Sequence, residues 1–260
     1  VFHSLAAAID YQFGFQVSQT WFYRLLGKAI LPLLLFGALS LYCLDGIVVI
    51  APGHEAIVER FGNPMTGDGE VRHWKPGVHL KWPWPVDRVV RYPTDRIEEI
   101  HVGYRPKASE SDTWTLPEPL LWGKGHYEEE YIVLVATDYI GNQGDQTPPV
   151  GLLNANIPVH YRVKDLYAFL YNHAQPKALL EAICYNQLTQ VAAASLTEVS
   201  DARSGKVSLL GDGRVKAGRL LRQRIQQAIE DQGLGLEVVF LGVQGIHPPA
   251  EADVAVTFQK

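Results

Sequence analysis

The sequence is poor in cysteine and has no excess of basic residues. Its two cysteines, Cys43 and Cys184, lie in an apolar N-terminal run and in a predicted helix far along the chain. We therefore expect two free thiols and not a disulfide framework. The formal net charge is -5 at pH 7, from 23 Lys and Arg against 28 Asp and Glu. A general nucleic-acid binder carries a basic surface, so we predict no nucleic-acid partner.

Motifs that mark catalytic or metal-binding chemistry are also missing. Nine histidines occur, yet none belongs to an H-E-x-x-H pair that would place two ligands on one helix face. There is no G-x-S-x-G elbow, and neither cysteine stands in the setting of a nucleophile. We interpret His73, His79 and His126 as loop or surface residues. The sequence thus predicts no catalytic residue, no metal and no cofactor, and a protein that is not an enzyme.

A long apolar run is present near the start of the chain. Residues 29–44 (AILPLLLFGALSLYCL) carry no charge. Extended back past Lys28, whose ammonium group can reach the headgroups, the run attains the roughly 20 residues that span a bilayer. We predict a transmembrane helix over residues 24–45, after a cytoplasmic or interfacial segment over residues 1–23. The alternatives are a buried core helix or a cleaved signal peptide. A retained helix is favoured because the run continues through Asp45 into another apolar segment without a small-residue cleavage site.

Basic residues predict the orientation of this helix. Arg24 and Lys28 flank its N-terminal end, whereas Asp45 and Glu55 are the first charged residues after it. Under the positive-inside rule, the N-terminus lies in the cytoplasm and the chain after Asp45 is exported.

The rest of the sequence has a β-rich half and a helical half. Short β-branched runs separated by Gly and Pro predict strands over residues 46–163, and a Pro-, Ser- and Trp-rich stretch at 105–130 is interpreted as a surface insertion between two of them. Alternating apolar residues from Leu153 to Val163 predict one face of a strand, in which Pro158 indicates an edge position or a bulge. Helical spacing over residues 164–247 predicts a helix with Pro176 at its start and a second helix that stops at Gly233, followed by a strand. A further helix is predicted over residues 248–260.

Four segments, in this order, resemble a known family. They are DGIVVIAPGHEAIVERFGNP, WKPGVHLKWPWPVDRVVRYPTDRI, NANIPVHYRVKDLYAFLY and LEVVFLGVQGIHPP. Together they resemble the SPFH (band-7) family of stomatin, prohibitin, flotillin, HflK and HflC, and most of all its HflK/HflC branch. The resemblance covers residues 44–260, and the insertion at 105–130 is longer than that branch leads us to expect.

The resemblance implies an α+β fold that follows the transmembrane helix and consists of two subdomains. A β-rich SPFH subdomain 1 would cover residues 46–163, an α/β SPFH subdomain 2 would cover 164–247, and a C-terminal coiled-coil helix would begin over 248–260. It further implies a single-pass protein of the bacterial inner (cytoplasmic) membrane with a periplasmic main domain. The implied partners are membrane lipids, further copies or a paralogous SPFH subunit in a large homo- or hetero-oligomer, and an FtsH-like membrane protease of the AAA+ class.

Four tryptophans are candidates for contact with the membrane interface, where indole rings prefer to lie. Trp21 precedes the apolar run, and Trp74, Trp82 and Trp84 cluster with three prolines shortly after it. For that cluster, ordinary core aromatics of a small β-subdomain are an equally good interpretation.

Two further groups are candidates for subunit contacts. Arg219 and Arg222 lie on a basic predicted helix, which is either a solvated face paired with nearby acids or a surface that reaches a neighbour. Val254 and Phe258 continue a narrow apolar stripe from Ala250 that a single helix cannot bury alone.

The function that these observations predict is that of a membrane-anchored scaffold. Its subunits would form a ring or cage that compartments the membrane and modulates a membrane AAA+ protease. One alternative is a lipid-microdomain scaffold of the stomatin or prohibitin kind without a protease partner. The other is a signal-anchored extracytoplasmic enzyme, which would need an acid/base or metal site that the sequence does not offer.

Overall fold

A computed structural model describes residue 11 and residues 21–66, 68–106, 127–136, 150–196, 209 and 213–249. These residues form an α+β fold, as predicted. Its elements are α1 (Trp21–Leu44), β1 (Ile47–Ile50), β2 (His54–Arg60), β3 (His73–Trp74), β4 (Gly77–Leu80), β5 (Asp87–Pro93), β6 (Glu98–Val102), β7 (Tyr104–Arg105), β8 (Glu129–Glu130), β9 (Ile132–Ala136), β10 (Val150–Val163), α2 (Leu166–Tyr171), α3 (Pro176–Ala193), α4 (Arg214–Asp231), β11 (Leu236–Leu241) and β12 (Gly245–His247).

The chain divides into two compact units, Val1–Arg91 and Tyr92–Lys260, which we call the N-terminal and C-terminal units. The predicted subdomain boundary at 163/164 stays a prediction, and the compact units divide at another place in the chain. The reason is strand pairing, because β6 and β9 both pair with β10, and β10 also pairs with β11 and β12. One sheet therefore joins strands that the sequence placed on both sides of the boundary.

The N-terminal unit contains α1 and two small antiparallel sheets. Strands β1 and β4 form a two-stranded ribbon in which Ile47 pairs with Leu80 and Ile50 with Gly77. The second sheet has the order β3-β2-β5. One side of the ribbon packs inward, where Val48, Ile50 and Ala56 form a buried cluster; the partly buried side chains of Trp74 and Val89 pack against it.

Helix α1 runs for 24 residues from Trp21 to Leu44, close to the predicted 24–45. In the parts of the chain that the structure describes, no helix has the combination of length and apolar character needed to cross a membrane. The membrane-spanning role of this segment therefore stays a prediction.

The C-terminal unit is built around the 14-residue strand β10. Its N-terminal part pairs with β9 and β12, and its C-terminal part pairs with β6 and β11, all antiparallel. The predicted apolar face is buried from Leu153 to Val163, and the residues between its members are buried as well up to Pro158, so both faces of this part of β10 are covered. Helices α3 and α4 pack on the sheet through apolar residues at helical spacing: Leu180, Ile183, Cys184, Leu188 and Val191 from α3, and Ala217, Leu221, Ile225 and Ile229 from α4.

The ends of α3 and α4 follow the predicted signals. Pro176 is in the first turn of α3. Gly233 follows α4 with φ = 61°, a conformation that glycine adopts without steric cost. These two boundaries were predictable because each depends on the backbone of one residue.

Pro158 lies in the middle of β10, although proline was expected at an edge or a bulge. The neighbouring chain changes at this point, since β12 pairs up to Asn156 and β11 begins at Val159. A ladder hydrogen bond that proline cannot donate is therefore not required here, while the carbonyl of Pro158 still accepts from the amide of Gly242 over 3.2 Å.

The two ends of the predicted insertion pair with each other. Tyr104 is opposite Glu130 and Arg105 is opposite Glu129, so β7 and β8 close its base as a short antiparallel pair. Residues 107–126 between them lie outside the described part of the chain.

Candidate functional site

The most distinctive surface of the N-terminal unit is the turn over residues 81–85, which joins β4 to β5 and carries Trp82 and Trp84. Two carboxylates hold this turn. Asp45, the first residue after α1, accepts from Nζ of Lys81 over 2.7 Å and from the amide of Trp84 over 2.9 Å. Asp87 accepts from the amide of Trp82 over 3.0 Å. The backbone on both sides of the tryptophans is thus fixed by side-chain acceptors.

Asp87 is itself held by an arginine. Nε of Arg60 donates to Oδ1 of Asp87 over 2.8 Å, and Nη2 donates to Oδ2 over 3.1 Å, which is the two-pronged geometry that arginine makes with carboxylates. The Asp87 side chain is only 2% exposed. The hydrogen bonds from Arg60, assisted by the Trp82 amide, hold the pKa of Asp87 below its ordinary value, although burial acts in the opposite direction. Asp87 therefore stays ionised at neutral pH.

With their backbone fixed in this way, the two tryptophans present their rings outward. Trp82 is 62% exposed and Trp84 is 70% exposed. Trp74 differs, because it packs against the buried cluster and stacks on the imidazole of His79 with ring centroids 4.7 Å apart. The cluster predicted from sequence therefore contains both kinds of aromatic, one ring packed inward and two presented at the surface.

An apolar face adjoins this turn. On the outer side of the ribbon, Ile47 pairs with Leu80 and Val49 with Val78, and these four side chains are between 51% and 78% exposed. Opposite faces of β1 are both apolar, since Val48 and Ile50 between them are buried. A strand with one solvent-exposed face usually alternates apolar and polar residues. The unbroken IVVI run was therefore the sequence signal for this second apolar face.

Helix α1 leads directly into that face. Large apolar side chains along it are exposed by 60–71%: Leu31, Leu33, Leu34, Leu35, Phe36, Leu39, Leu41 and Leu44. Lys28 is exposed near its start, and so is Trp21, at 76%. Of Arg24, the other predicted topology residue, only the helical backbone is described. The apolar surface thus extends from α1 through the ribbon to the tryptophan turn.

The residues predicted to contact other subunits lie elsewhere. Arg219 and Arg222 are exposed on α4, and Nη2 of Arg222 donates to the carbonyl of Val238 in the same chain over 3.1 Å. Val254 and Phe258 lie outside the described residues.

Sequence reasoning missed the residues that hold the turn. Asp45 was considered only as a charge next to the apolar run, and Asp87 and Arg60 were not singled out. The pairing of Arg60 with Asp87 spans 27 positions, and no local pattern predicts it. Across the described ranges, no three His, Cys, Asp or Glu side chains come together as a set that could hold a metal ion.

The fold and this surface define an α+β protein with an exposed apolar helix and ribbon in its N-terminal unit. Residues 48–259 match the model of the SPFH domain / Band 7 family, and the chain belongs to this family. The resemblance drawn from the four sequence segments is thereby confirmed.

Two curated proteins show sequence similarity. Protein HflK of Borreliella burgdorferi is 19% identical over 211 residues, which cover 81% of this chain and 56% of that protein. A tRNA N6-adenosine threonylcarbamoyltransferase of Thermofilum pendens is 34% identical over 107 residues, which cover 37% of this chain and 29% of that protein. The chain thus spans about half of the first relative and less than a third of the second. The similarity to HflK agrees with the HflK/HflC branch suggested by the sequence.

Proposed function

We propose that this protein is a membrane-anchored scaffold of the SPFH family whose subunits assemble into a ring or cage. In this proposal α1 crosses the membrane as its anchor, the N-terminus is cytoplasmic, and the outer face of the ribbon with Trp82 and Trp84 lies at the membrane surface. The assembly compartments a patch of membrane and modulates a membrane AAA+ protease. The protein would then act through position and contact, without a reactive residue.

The observation that carries the proposal is the exposed apolar surface that continues from α1 onto the ribbon. Soluble monomers rarely expose contiguous apolar patches larger than a few hundred Å². A helix that is apolar on most of its circumference needs a core or a lipid environment. Helix α1 has 24 residues, which at 1.5 Å per residue is about 36 Å, so its length alone exceeds the roughly 30 Å of a bilayer's hydrocarbon core.

The tryptophan turn supports the second part of the proposal. Indole rings are enriched at the headgroup level of membranes, where one edge of the ring meets lipid and the other meets water. The two carboxylates that hold the turn keep Trp82 and Trp84 outward without burying them in the protein. This arrangement suits a rigid contact with a surface better than it suits a protein core.

Reporter fusions and membrane extraction together test whether α1 anchors the chain and whether the N-terminus is cytoplasmic. Fusions after Gly62 in whole cells should be active with alkaline phosphatase, which works in the periplasm, and dark with a green fluorescent protein, which folds in the cytoplasm. The chain should also stay in the membrane pellet after alkaline carbonate extraction. Release by carbonate, or the opposite reporter pattern, would contradict the proposal.

The protease partner is supported by the similarity to HflK and by the family resemblance. Its test is co-purification of the tagged full chain, solubilised in mild detergent, followed by identification of the bound proteins. Recovery of an AAA+ membrane protease in stoichiometric amount supports the role of modulator. A large assembly without a protease would favour a microdomain scaffold instead.

A further inference from the structure

The sheet of the C-terminal unit has two edges with different chemistry. Val159 in β10 pairs with Leu241 of β11 and also with Ile100 of β6, so β11 and β6 lie on opposite sides of β10. Helix α4 packs along β11, whereas α3 packs along β9 and β6. Any feature next to β11 is therefore on the opposite edge from any feature next to β6.

On the β11 edge there is a groove with unpaired cations, which we call the basic groove. It is lined by Lys164, Arg219 and Arg222. Lys216 lies outside the lining, three positions before Arg219 on the same face of α4. Lys164, Lys216 and Arg219 are exposed and form no ion pair with any side chain in the described ranges.

Of the two acids that line this groove, Glu237 is neutralised by Arg162, whereas Glu230 keeps its charge and faces the three cations of the lining. Glu237 pairs with Arg162 over 2.8 Å, and Glu230 accepts from Gln226 over 2.9 Å. The excess charge that the groove offers to a partner is therefore positive, in a chain whose net charge is -5.

Strand addition is blocked at this edge by two side chains of α4. Oε1 of Gln226 accepts from the amide of Val238 over 2.8 Å, and Nη2 of Arg222 donates to the carbonyl of the same residue over 3.1 Å. The outward backbone groups of Val238 are thus satisfied within the chain, so a partner here must bind through side chains.

On the β6 edge there is a cleft of opposite charge, which we call the acidic cleft. Its lining includes Tyr131, Tyr185, Glu129 and Glu181. The rings of Tyr131 and Tyr185 meet edge to face at 5.1 Å. Glu181 is exposed and pairs with no cation in the described ranges, and the exposed Glu129 is joined to Arg105 over 3.1 Å. Carboxylates next to tyrosine rings are partners that suit Lys and Arg.

We propose that the acidic cleft of one copy of this chain receives the basic groove of the next, so that copies associate head to tail. Complementary charges on opposite sheet edges are what a heterologous interface requires, and such an interface closes into a ring if the rotation between copies allows it. This inference rests on the proposed function, since it specifies which surfaces meet in the assembly.

Charge reversal tests it, with the full chain in mild detergent and native mass measurement of the species. The double variant K216E/R219E should weaken association about tenfold or more, because like charges then face each other. The double variant E129K/E181K should do the same. Mixed in equal amounts, the two variants should restore the large species, since each reversed surface meets its complement.

The matched control is R214E/R224E, which makes the same charge change at exposed positions of α4 that lie outside the groove and off the helix face shared by Lys216, Arg219 and Arg222. It should leave the assembly intact, and thermal unfolding of all variants should match the parent chain. Raising the salt from 50 mM to 500 mM should weaken the parent assembly, because the pairs are exposed.

The outcomes separate this inference from the proposed function. A parent chain that is monomeric in detergent and in the membrane contradicts the assembly itself. A parent assembly that K216E/R219E leaves unchanged, or a mixture that does not recover, overturns only the pairing of groove and cleft. If K216E/R219E leaves assembly unchanged but loses binding to vesicles with anionic lipid, the groove is a lipid site and the inference is wrong.

Discussion

The side chains of Asp45 and Lys81 meet across 36 positions of sequence, with Nζ of Lys81 donating to Oδ2 of Asp45 over 2.7 Å. The same oxygen accepts from the amide of Trp84 over 2.9 Å. Because Asp45 directly follows the last residue of α1, this carboxylate ties the end of the helix to the turn that presents the tryptophans.

We expect D45A to loosen this turn, because the Trp84 amide loses its acceptor and Lys81 loses its counter-ion. D45N should have a smaller effect, since its carbonyl oxygen can still accept from Trp84. The measurement is amide hydrogen exchange of a peptide that covers residues 81–85. Exchange should be fastest in D45A, intermediate in D45N and slowest in the parent chain. Equal rates in all three would show that Asp45 does not hold the turn.

If Trp82 and Trp84 contact lipid, lipid should quench their fluorescence more strongly than that of Trp74. In vesicles with brominated acyl chains, replacing Trp82 and Trp84 with Phe should remove a large part of the fluorescence quenching. Replacing Trp74 should remove little, since its ring packs against the buried cluster. If W74F removes as much quenching as W82F/W84F, the ribbon and its turn do not lie at the membrane surface.

The buried Asp87 predicts a dependence of stability on pH. Hydrogen bonds from Arg60 lower the pKa of Asp87 in the folded state, so the folded protein binds this proton more weakly than the unfolded chain. The stabilisation is fully present above the unfolded pKa, near 3.9, and is lost as pH falls through the lower folded value. Urea unfolding should therefore show a stability difference between the parent and D87N that shrinks below about pH 4.

The variant D87A tests at neutral pH how much the hydrogen bonds of Asp87 stabilise the fold. It should cost about 1–3 kcal/mol, because the amide of Trp82 and the guanidinium of Arg60 lose a buried acceptor. A difference between parent and D87N that is constant from pH 7 to pH 3 would argue against an ionised Asp87 as the stabilising group.

Two glycines with similar positive φ angles should differ in how much a Gly-to-Ala substitution lowers the free energy of unfolding. Gly103 has φ = 85° and Gly62 has φ = 82°. A Cβ on Gly103 would lie 1.8 Å from the carbonyl oxygen of Ala155, whereas a Cβ on Gly62 would meet nothing within 4 Å. G62A should cost about 1–2 kcal/mol from the left-handed backbone alone. G103A should cost clearly more, because backbone of β10 has to move, and thermal unfolding of the two variants compares them directly.

Because side chains of α4 cover the edge of β11, uncovering that edge should promote aggregation. Q226L removes the side chain that binds the outward amide of Val238, so it should lower stability by about 1–2 kcal/mol and expose a strand edge. Q227L is the control, since Nε2 of Gln227 donates to Asp231 on the same helix over 2.9 Å and the side chain makes no bond to β11 among the described residues. Light scattering during mild heating should show irregular aggregation in Q226L and not in Q227L. Equal behaviour would mean that α4 does not protect this edge.

Local patterns predicted much of the secondary structure. The alternation from Leu153 to Val163 predicted the buried face of β10, and the apolar spacing in α3 and α4 predicted the residues that pack on the sheet. Short motifs, each within about 20 residues, also predicted the family. These features depend on the sequence periods of 2 and 3.6 and on Pro or Gly at a single position, so they can be determined from neighbours in the chain.

Tertiary structure alone decided where the units divide and which residues make the candidate site. Nothing next to Glu98–Val102 or Ile132–Ala136 in the sequence indicates that both strands pair with β10, and this pairing places them in the C-terminal unit. Likewise, Asp45 and Asp87 are ordinary acids in the sequence and become the supports of the tryptophan turn only once β1 and β4 pair. Hydrogen bonds between residues 36 or 27 positions apart depend on the path of the whole chain, and that path is set by which apolar faces become buried together.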